Sequence, residues 1–320
     1  MKLDKFVIAI IASILLAYFF PQPGSSQSPI PLDRISSFGI SLIFLFYGLK
    51  LSTSELLRGL RNWRLHLLVQ GTTFILFPLL VLLAFPFVHG EKQQTIWLSF
   101  LFLAALPSTV SSSVVMVVMA RGNIPAAIFN ASISGIIGIA VTPLWMAPFL
   151  QQHAAVDTGD IYLSLLLGIM LPLAIGLTLR PWLSDFARRN TKNLSLFDKT
   201  IILLIIYKSF AHSFEAHIFS SMEWLDIGVI SALVIALFYL VYGLTGFFAR
   251  RMGLDIADRI TVQFCGTKKS LVHGTVFSNA LFGQTAAVGL MLLPLMIFHA
   301  LQILLVSIIA TRLSTRTTNT

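Results

Sequence analysis

Charge is the first thing this sequence lacks. Lys, Arg, Asp and Glu make up 11% of its 320 residues, against about 25% in a soluble globule. Hydrophobic residues make up 56% and mean hydropathy is +0.86, which excludes a water-soluble fold and indicates an integral membrane protein. A single cysteine, Cys265, excludes an intramolecular disulfide framework and any cysteine-cluster metal site. No Asp or Glu lies near the middle of any apolar run, so there is no intramembrane carboxylate to hold Na⁺ or carry a proton. The His-Glu-x-x-His and Gly-x-Ser-x-Gly signatures are missing, as are paired intramembrane aspartates. Protease and lipid-transferase chemistry therefore lacks its groups, and no enzyme is expected. No small-x-small cleavage site follows the first apolar run, which ends in Phe19-Phe20-Pro21, so the run reads as a retained span rather than a signal peptide.

What is present is a series of apolar runs near the roughly 20 residues a spanning helix needs. Bounded by charge, Pro and Gly, they predict ten spans near 6–20, 35–51, 65–87, 94–119, 124–150, 161–180, 199–214, 224–249, 258–282 and 286–311. The net charge of +9 and pI of 9.9 do not point to nucleic acid. The basic residues lie in short loops, where lysine and arginine set orientation. One side collects Lys2, Lys5, Lys50, Arg58, Arg61, Arg64, Arg121, Arg180, Arg188, Arg189, Lys192, Lys199, Arg250, Arg251, Arg259, Arg312 and Arg316. The other has Arg34 and Lys92 beside Asp157, Asp160, Glu215, Glu223 and Asp226. Both termini are therefore expected in the cytoplasm, with residues 181–198 as the largest cytoplasmic loop. Compact loops fit a bacterial inner membrane, and nothing indicates a homo-oligomer.

The fold class expected is an all-α membrane protein with ten transmembrane helices in two five-helix inverted repeats. A single domain over 1–320 would comprise a first repeat at 1–155 and a second at 156–320. Five spans per half is an odd number, so the second half enters the membrane with opposite polarity. The fourth span of each half carries a polar break, and interrupted helices at matching positions point to a transporter's binding site.

The first break is Leu106-Pro107-Ser108-Thr109-Val110-Ser111-Ser112-Ser113. Pro107 lacks an N–H and clashes with the preceding turn, which frees carbonyls near Leu103. Such a break survives in lipid only where it lines a polar cavity or is covered by protein. Ser108, Thr109, Ser111, Ser112 and Ser113 supply hydroxyls, and the half-helix that follows turns its positive end to the midplane. Each hydroxyl taken alone could equally bond back to its own helix or pack against a neighbour.

The second break is Gln263-Phe264-Cys265-Gly266-Thr267-Lys268-Lys269-Ser270, with Gly266 as the expected breaker. A lysine at bilayer depth costs about 2.5–3.5 kcal/mol and reads by default as functional. Helical spacing would align Lys268 with Val272, Thr275 and Asn279, and Lys269 with His273 and Val276. Lacking a carboxylate, the two lysines must lose protons, meet an anion, or use backbone carbonyls and helix ends. The two breaks are expected to face each other across one cavity. Gln70, a polar thin face of Asn130, Ser134 and Gly138, and His299 with Gln302 support that cavity. Each of them singly fits interhelical hydrogen bonding as well.

With these residues in view, the chain resembles the bile acid:sodium symporter family, most closely its member-seven-like branch. The likeness rests on Phe46-Tyr47-Gly48-Leu49-Lys50-Leu51, Leu106-Pro107-Ser108-Thr109-Val110-Ser111-Ser112, Arg121-Gly122-Asn123 with Ala126-Ala127-Ile128-Phe129-Asn130, Phe264-Cys265-Gly266-Thr267-Lys268-Lys269-Ser270-Leu271, and Leu293-Pro294-Leu295-Met296-Ile297-Phe298-His299. It implies a panel domain (spans 1, 2, 6 and 7) and a core domain (3–5 and 8–10) in which broken helices 4 and 9 cross. It further implies that Phe264, Lys268 and Lys269 stand where the family's sodium-binding glutamate, glutamine and asparagine would be. The family's Ser-Asn pair falls at Ser112-Ser113 and its third-span glutamine at Gln70. Na⁺, where bound, would be expected at Ser112, Ser113 and Asn130, and a lysine ammonium could replace it electrostatically.

The function expected is secondary transport of a small organic solute, anionic or amphipathic, by alternating access. Coupling would be to Na⁺, as the resemblance implies, or to H⁺, as the lysines suggest, with no other cofactor. The competing expectation is a non-transporting sensor or regulatory subunit on the same scaffold.

Overall fold

The computed structural model describes residues 5–24, 28–50, 62–109, 111–150, 163, 166–215, 217, 219, 222–282 and 287–314. Every regular element among them is helical. The α-helices are α1 (Lys5–Phe19), α2 (Leu32–Lys50), α3 (Trp63–Gly71), α4 (Phe77–Leu82), α5 (Glu91–Ala105), α6 (Ser111–Met119) and α7 (Ile124–Leu150). After them come α8 (Leu171–Arg189), α9 (Thr191–Glu215), α10 (Trp224–Arg251), α11 (Ile256–Thr267), α12 (Leu271–Phe282) and α13 (Val288–Ser314). Two π-helical segments, Thr72–Leu76 and Leu166–Met170, join α3 to α4 and lead into α8.

Among the described residues, six stretches are long and apolar enough to cross a membrane: Leu32–Lys50, Trp63–Phe87, Ile124–Phe149, Leu167–Arg189, Trp224–Arg251 and Val288–Ser314. The expected fourth and ninth spans are each divided, into α5 with α6 and α11 with α12. The junction expected at 155/156 falls outside the described residues, as do Lys2, Arg58, Arg61, Asp157, Asp160 and Arg316.

The loop expected over 181–198 is instead a helical corner. α8 runs through Pro181 to Arg189, and α9 starts two residues later. The Asn190 amide donates to the Phe186 carbonyl at 3.0 Å, and the Thr191 hydroxyl to those of Ala187 and Arg188 at 3.1 and 2.8 Å. Arg188 and Arg189 in the last turn complement the helix dipole. Leu49, Ala187 and Leu194 form a buried apolar cluster under the corner. Charge density suggested a loop, but that small core holds the segment helical.

The chain forms two compact units that interleave along the sequence. One comprises Met1–Leu51, Ala147–Glu223 and Gly274–Leu293; the other comprises Ser52–Met146, Trp224–His273 and Pro294–Thr320. In the first unit α2 packs on α8 and α1 on α9. The α2–α8 approach is set by two glycines. A Cβ on Gly176 would lie 2.2 Å from the Leu45 carbonyl oxygen, and one on Gly48 would lie 2.5 Å from that of Leu173. This unit also holds a cavity of about 420 Å³ lined by Asp33, Ser37, Ser41, Lys208 and Asn279, among others. Lys208 pairs with Asp33 there.

In the second unit α11 packs against α10, α3 and α6, and α4 against α5. Asp258, in the first turn of α11, accepts amides from Asn62 and Asn123, and Asn123 donates its backbone N–H to Thr261 at 2.8 Å. This knot fastens the ends of α3, α7 and α11.

Backbone oxygens cannot give way to a methyl group, so Gly176→Ala should destabilise the protein by about 1–3 kcal/mol, the usual cost of overpacking. Gly243→Ala, where a Cβ meets nothing within 4 Å, should be neutral. Thermal unfolding of the purified variants in detergent checks both.

Candidate functional site

The site lies within the second unit and begins with two prolines. Pro107 leaves α5 to end at Ala105, with Leu106 extended (ψ 150°), as a residue before proline must be. The Leu103 carbonyl, expected free, is taken by the Leu106 N–H at 3.3 Å. The carbonyls left over are those of Ala104, Ala105 and Leu106, and Ala105 is answered by the Thr142 hydroxyl at 2.8 Å.

Pro78 acts in the same way on the other side. In the π-helical segment the Phe77 N–H bonds the Thr72 carbonyl. The Thr73 carbonyl would next be met by residue 78, which is proline and has no N–H. The Phe74 carbonyl, one turn before Pro78, receives the Trp145 indole at 2.8 Å.

Lys269 fills what remains. Its Nζ donates to the carbonyls of Thr73, Ala104 and Leu106 at 2.8, 2.6 and 2.8 Å. It also lies over the Phe77 ring, 4.2 Å from the centroid. Three carbonyl acceptors call for three N–H groups, which only the ammonium form provides. Hydrogen bonds to a charged group contribute about 1.5–3 kcal/mol each, and a desolvated cation–π contact about 2. Together they outweigh the roughly 2.5–3.5 kcal/mol that a lysine costs at this depth. The Gln302 side chain grips the same residue's peptide, accepting the Lys269 N–H and donating to its carbonyl, both at 2.8 Å.

Lys268 is placed differently. It too is fully buried, but its Nζ makes one hydrogen bond, to the Ser112 hydroxyl at 2.9 Å. Its other N–H groups have no acceptor among the described residues. Thr109 Oγ1 bonds the hydroxyls of Ser112 and Ser113 at 2.9 and 2.8 Å, and α6 opens at Ser111 with its first N–H groups unpaired along the helix. The side chain of Ser111 lies outside the described residues.

The two breaks touch directly, where a cavity between them was expected. Ser108 Oγ donates to the Cys265 carbonyl at 2.6 Å, and the Ser270 N–H donates to the Pro107 carbonyl at 2.9 Å. The Ser108 N–H reaches Ser134 Oγ at 2.9 Å. Gly138 lets α7 approach, since a Cβ there would lie 2.7 Å from the Pro107 ring.

Gly266 is not the breaker. It remains helical in α11, where a Cβ would stand 3.2 Å from the Thr72 side chain. The chain leaves the helix at Lys268 (φ −81°, ψ 145°), so helical alignment of the lysines with Val272, Thr275, Asn279 or His273 does not carry across. Gln263 is spent on the Tyr242 carbonyl at 3.1 Å, and Thr267 on the Gln263 carbonyl at 2.5 Å. His273 Nδ1 meets Ser270 Oγ at 2.9 Å, and His299 Nδ1 meets Gln302 Nε2 at 3.1 Å. Asn130 is tied by its side chain to His66 at 2.8 Å and to Gln70 at 3.1 Å. Asn279 lines the cavity of the first unit.

Reasoning from sequence named Gln302 only as a support of the cavity, and it missed His66, Thr73 and Phe77. Gln302 was visible beside His299 on α13, and Thr73 was hidden because its contribution is a backbone oxygen.

Apolar helices in number, interrupted at a polar and fully packed centre, define a multi-pass integral membrane protein of the transporter class. The model of the SBF-like CPA transporter family matches residues 4–315. YfeH of Escherichia coli is 36% identical over 98% of this chain and 94% of its own. An uncharacterized protein of Pseudomonas aeruginosa is 37% identical over 98% and 93%. The sodium/bile acid cotransporter 7-B of Xenopus laevis is 31% identical over 97% and 91%. The chain belongs to the SBF-like CPA transporter family.

Gln302→Leu would orphan two buried backbone groups of Lys269, each worth about 1–3 kcal/mol. It should lower the unfolding temperature of the purified protein by several degrees, and Gln302→Glu, which keeps one acceptor, by less.

Proposed function

We propose that the protein is a secondary active transporter that carries a small organic solute, anionic or amphipathic, by alternating access across a bacterial inner membrane. The observation that carries this reading is Lys268. It is a fully buried lysine with one hydroxyl partner, set beside the first turn of α6. An anionic group placed there would meet both an ammonium and a helix N-terminus. The cotransporter name of the Xenopus laevis relative supports solute transport. Coupling is to Na⁺ or H⁺. For Na⁺, the hydroxyls of Ser112 and Ser113 are the groups on offer, since the Asn130 side chain is engaged by His66 and Gln70.

The topology that accompanies this reading has ten spans in two inverted five-helix repeats, with both termini cytoplasmic. The charge asymmetry of the loops supports it. The grouping of residues 1–51 with 147–223 and of 52–146 with 224–273 resembles a panel and a core, while Gly274–Leu293, from the ninth and tenth spans, groups with the first set and not with the core. The alternative is a sensor or regulatory subunit that uses the scaffold without moving solute.

Three experiments test the proposal. In proteoliposomes, a panel of organic anions should yield at least one that shows counterflow, run with and without Na⁺ at two pH values; no counterflow of any solute favours the sensor. Lys268→Met should weaken binding of that anion at least tenfold, and undiminished binding would remove Lys268 from the site. For topology, Cys265 is fully buried, so single cysteines can be read against it. An impermeant thiol reagent applied from outside should label His89→Cys and spare Asn190→Cys.

A further inference from the structure

We propose that the carbonyl oxygens of Thr73, Ala104 and Leu106 form a monovalent-cation site that the chain fills with its own Lys269 ammonium. The three oxygens have two covalent origins. Pro78 removes the donor that would answer Thr73, and the turn forced by Pro107 strands Ala104 and Leu106. Neither α5 nor the π-helical segment needs a lysine to form, so the oxygens are left unpaired as a property of the backbone. Three carbonyls converging on one positive centre at 2.6–2.8 Å replace a hydration shell in the way a cation filter does. Two of the three stand at the C-terminal end of α5, where the helix dipole adds negative potential. The Phe77 face closes a fourth side at 4.2 Å.

The consequence is a division of labour between adjacent residues. Lys269 is a resident cation, with every N–H answered and its peptide clamped by Gln302. No soluble ion is required at this place, and the cage cannot exchange its occupant. Lys268 retains donors for a ligand. This inference concerns the cage alone and does not rest on the transport reading.

The test is thermal unfolding of the full-length purified protein and of Lys269→Met and Lys269→Ala. Choline, sodium, potassium and methylammonium chlorides are compared at one ionic strength and pH. The wild-type protein should unfold at the same temperature in choline and in methylammonium. Lys269→Met keeps most of the side-chain volume without the charge, and should unfold several degrees lower in all four salts. Lys269→Ala leaves room, and should regain stability in a saturable manner with methylammonium, while choline, too large to enter, restores nothing. A Met variant as stable as wild type overturns the proposal. So does an Ala variant indifferent to the choice of salt, or one that stays unfolded in all of them, because the volume of the side chain and not its charge would then be what the cage requires. Absence of solute flux would overturn the transport reading and leave these unfolding temperatures unchanged, so the two failures are distinguishable.

Discussion

The contact of the Lys269 ammonium with carbonyls released by two prolines is the constraint on which the centre of this protein depends. In a medium without water, every free backbone group must find a partner inside the protein. Pro78 and Pro107 each create such groups, and they lie on different helical segments. A single cation answers both, which pins the segment joining α3 to α4 against the end of α5. It also fixes the position of the non-helical stretch from Lys268 to Ser270. Gln302 then secures α13 to the same peptide.

Around that fixed point, polar groups fall into two kinds. Most are committed: Ser108 to Cys265, Ser134 to Ser108, Asn130 to His66 and Gln70, Gln263 to α10. They read as a hydrogen-bonded framework that substitutes for absent ion pairs, and such frameworks rigidify when every member is satisfied. Lys268 is less fully paired, with one partner and the start of α6 beside it, and the Gln70 Oε1 and Thr72 Oγ1 atoms are also left without a partner. An incompletely paired lysine next to an ordered network is where binding energy is available, and its neighbours are held still enough to define a shape.

Much of this was legible in the sequence, and what was not has physical reasons. Pro107 and the Lys268–Lys269 pair announced themselves because each violates a strong rule, one of helix geometry and one of lipid. Ser134 and Gly138 were visible as a thin polar face, and both do approach the first break. Gly266 was misread because a glycine in a helix fits either a break or a close approach; only the position of Thr72 distinguishes them. The helical alignment of the lysines failed because it assumed regular dihedrals across residues that are not helical. The contribution of Thr73 was illegible in principle, since it comes from a carbonyl that Pro78, five residues on, leaves unpaired. The corner at Asn190 was mistaken for a loop because its charge was counted and its small apolar cluster was not.

The π-helical segment at Thr72–Leu76 has a consequence for how this chain can change. A π turn is an α turn carrying one residue more than its neighbours. Side chains there can be exchanged for others of similar size without disturbing that count. Removing a single residue would return the segment to α spacing, rotate everything before it by about 100°, and swing the Thr73 oxygen away from the centre. In this part of the molecule length is held more tightly than identity, and a one-residue deletion is a larger event than any replacement.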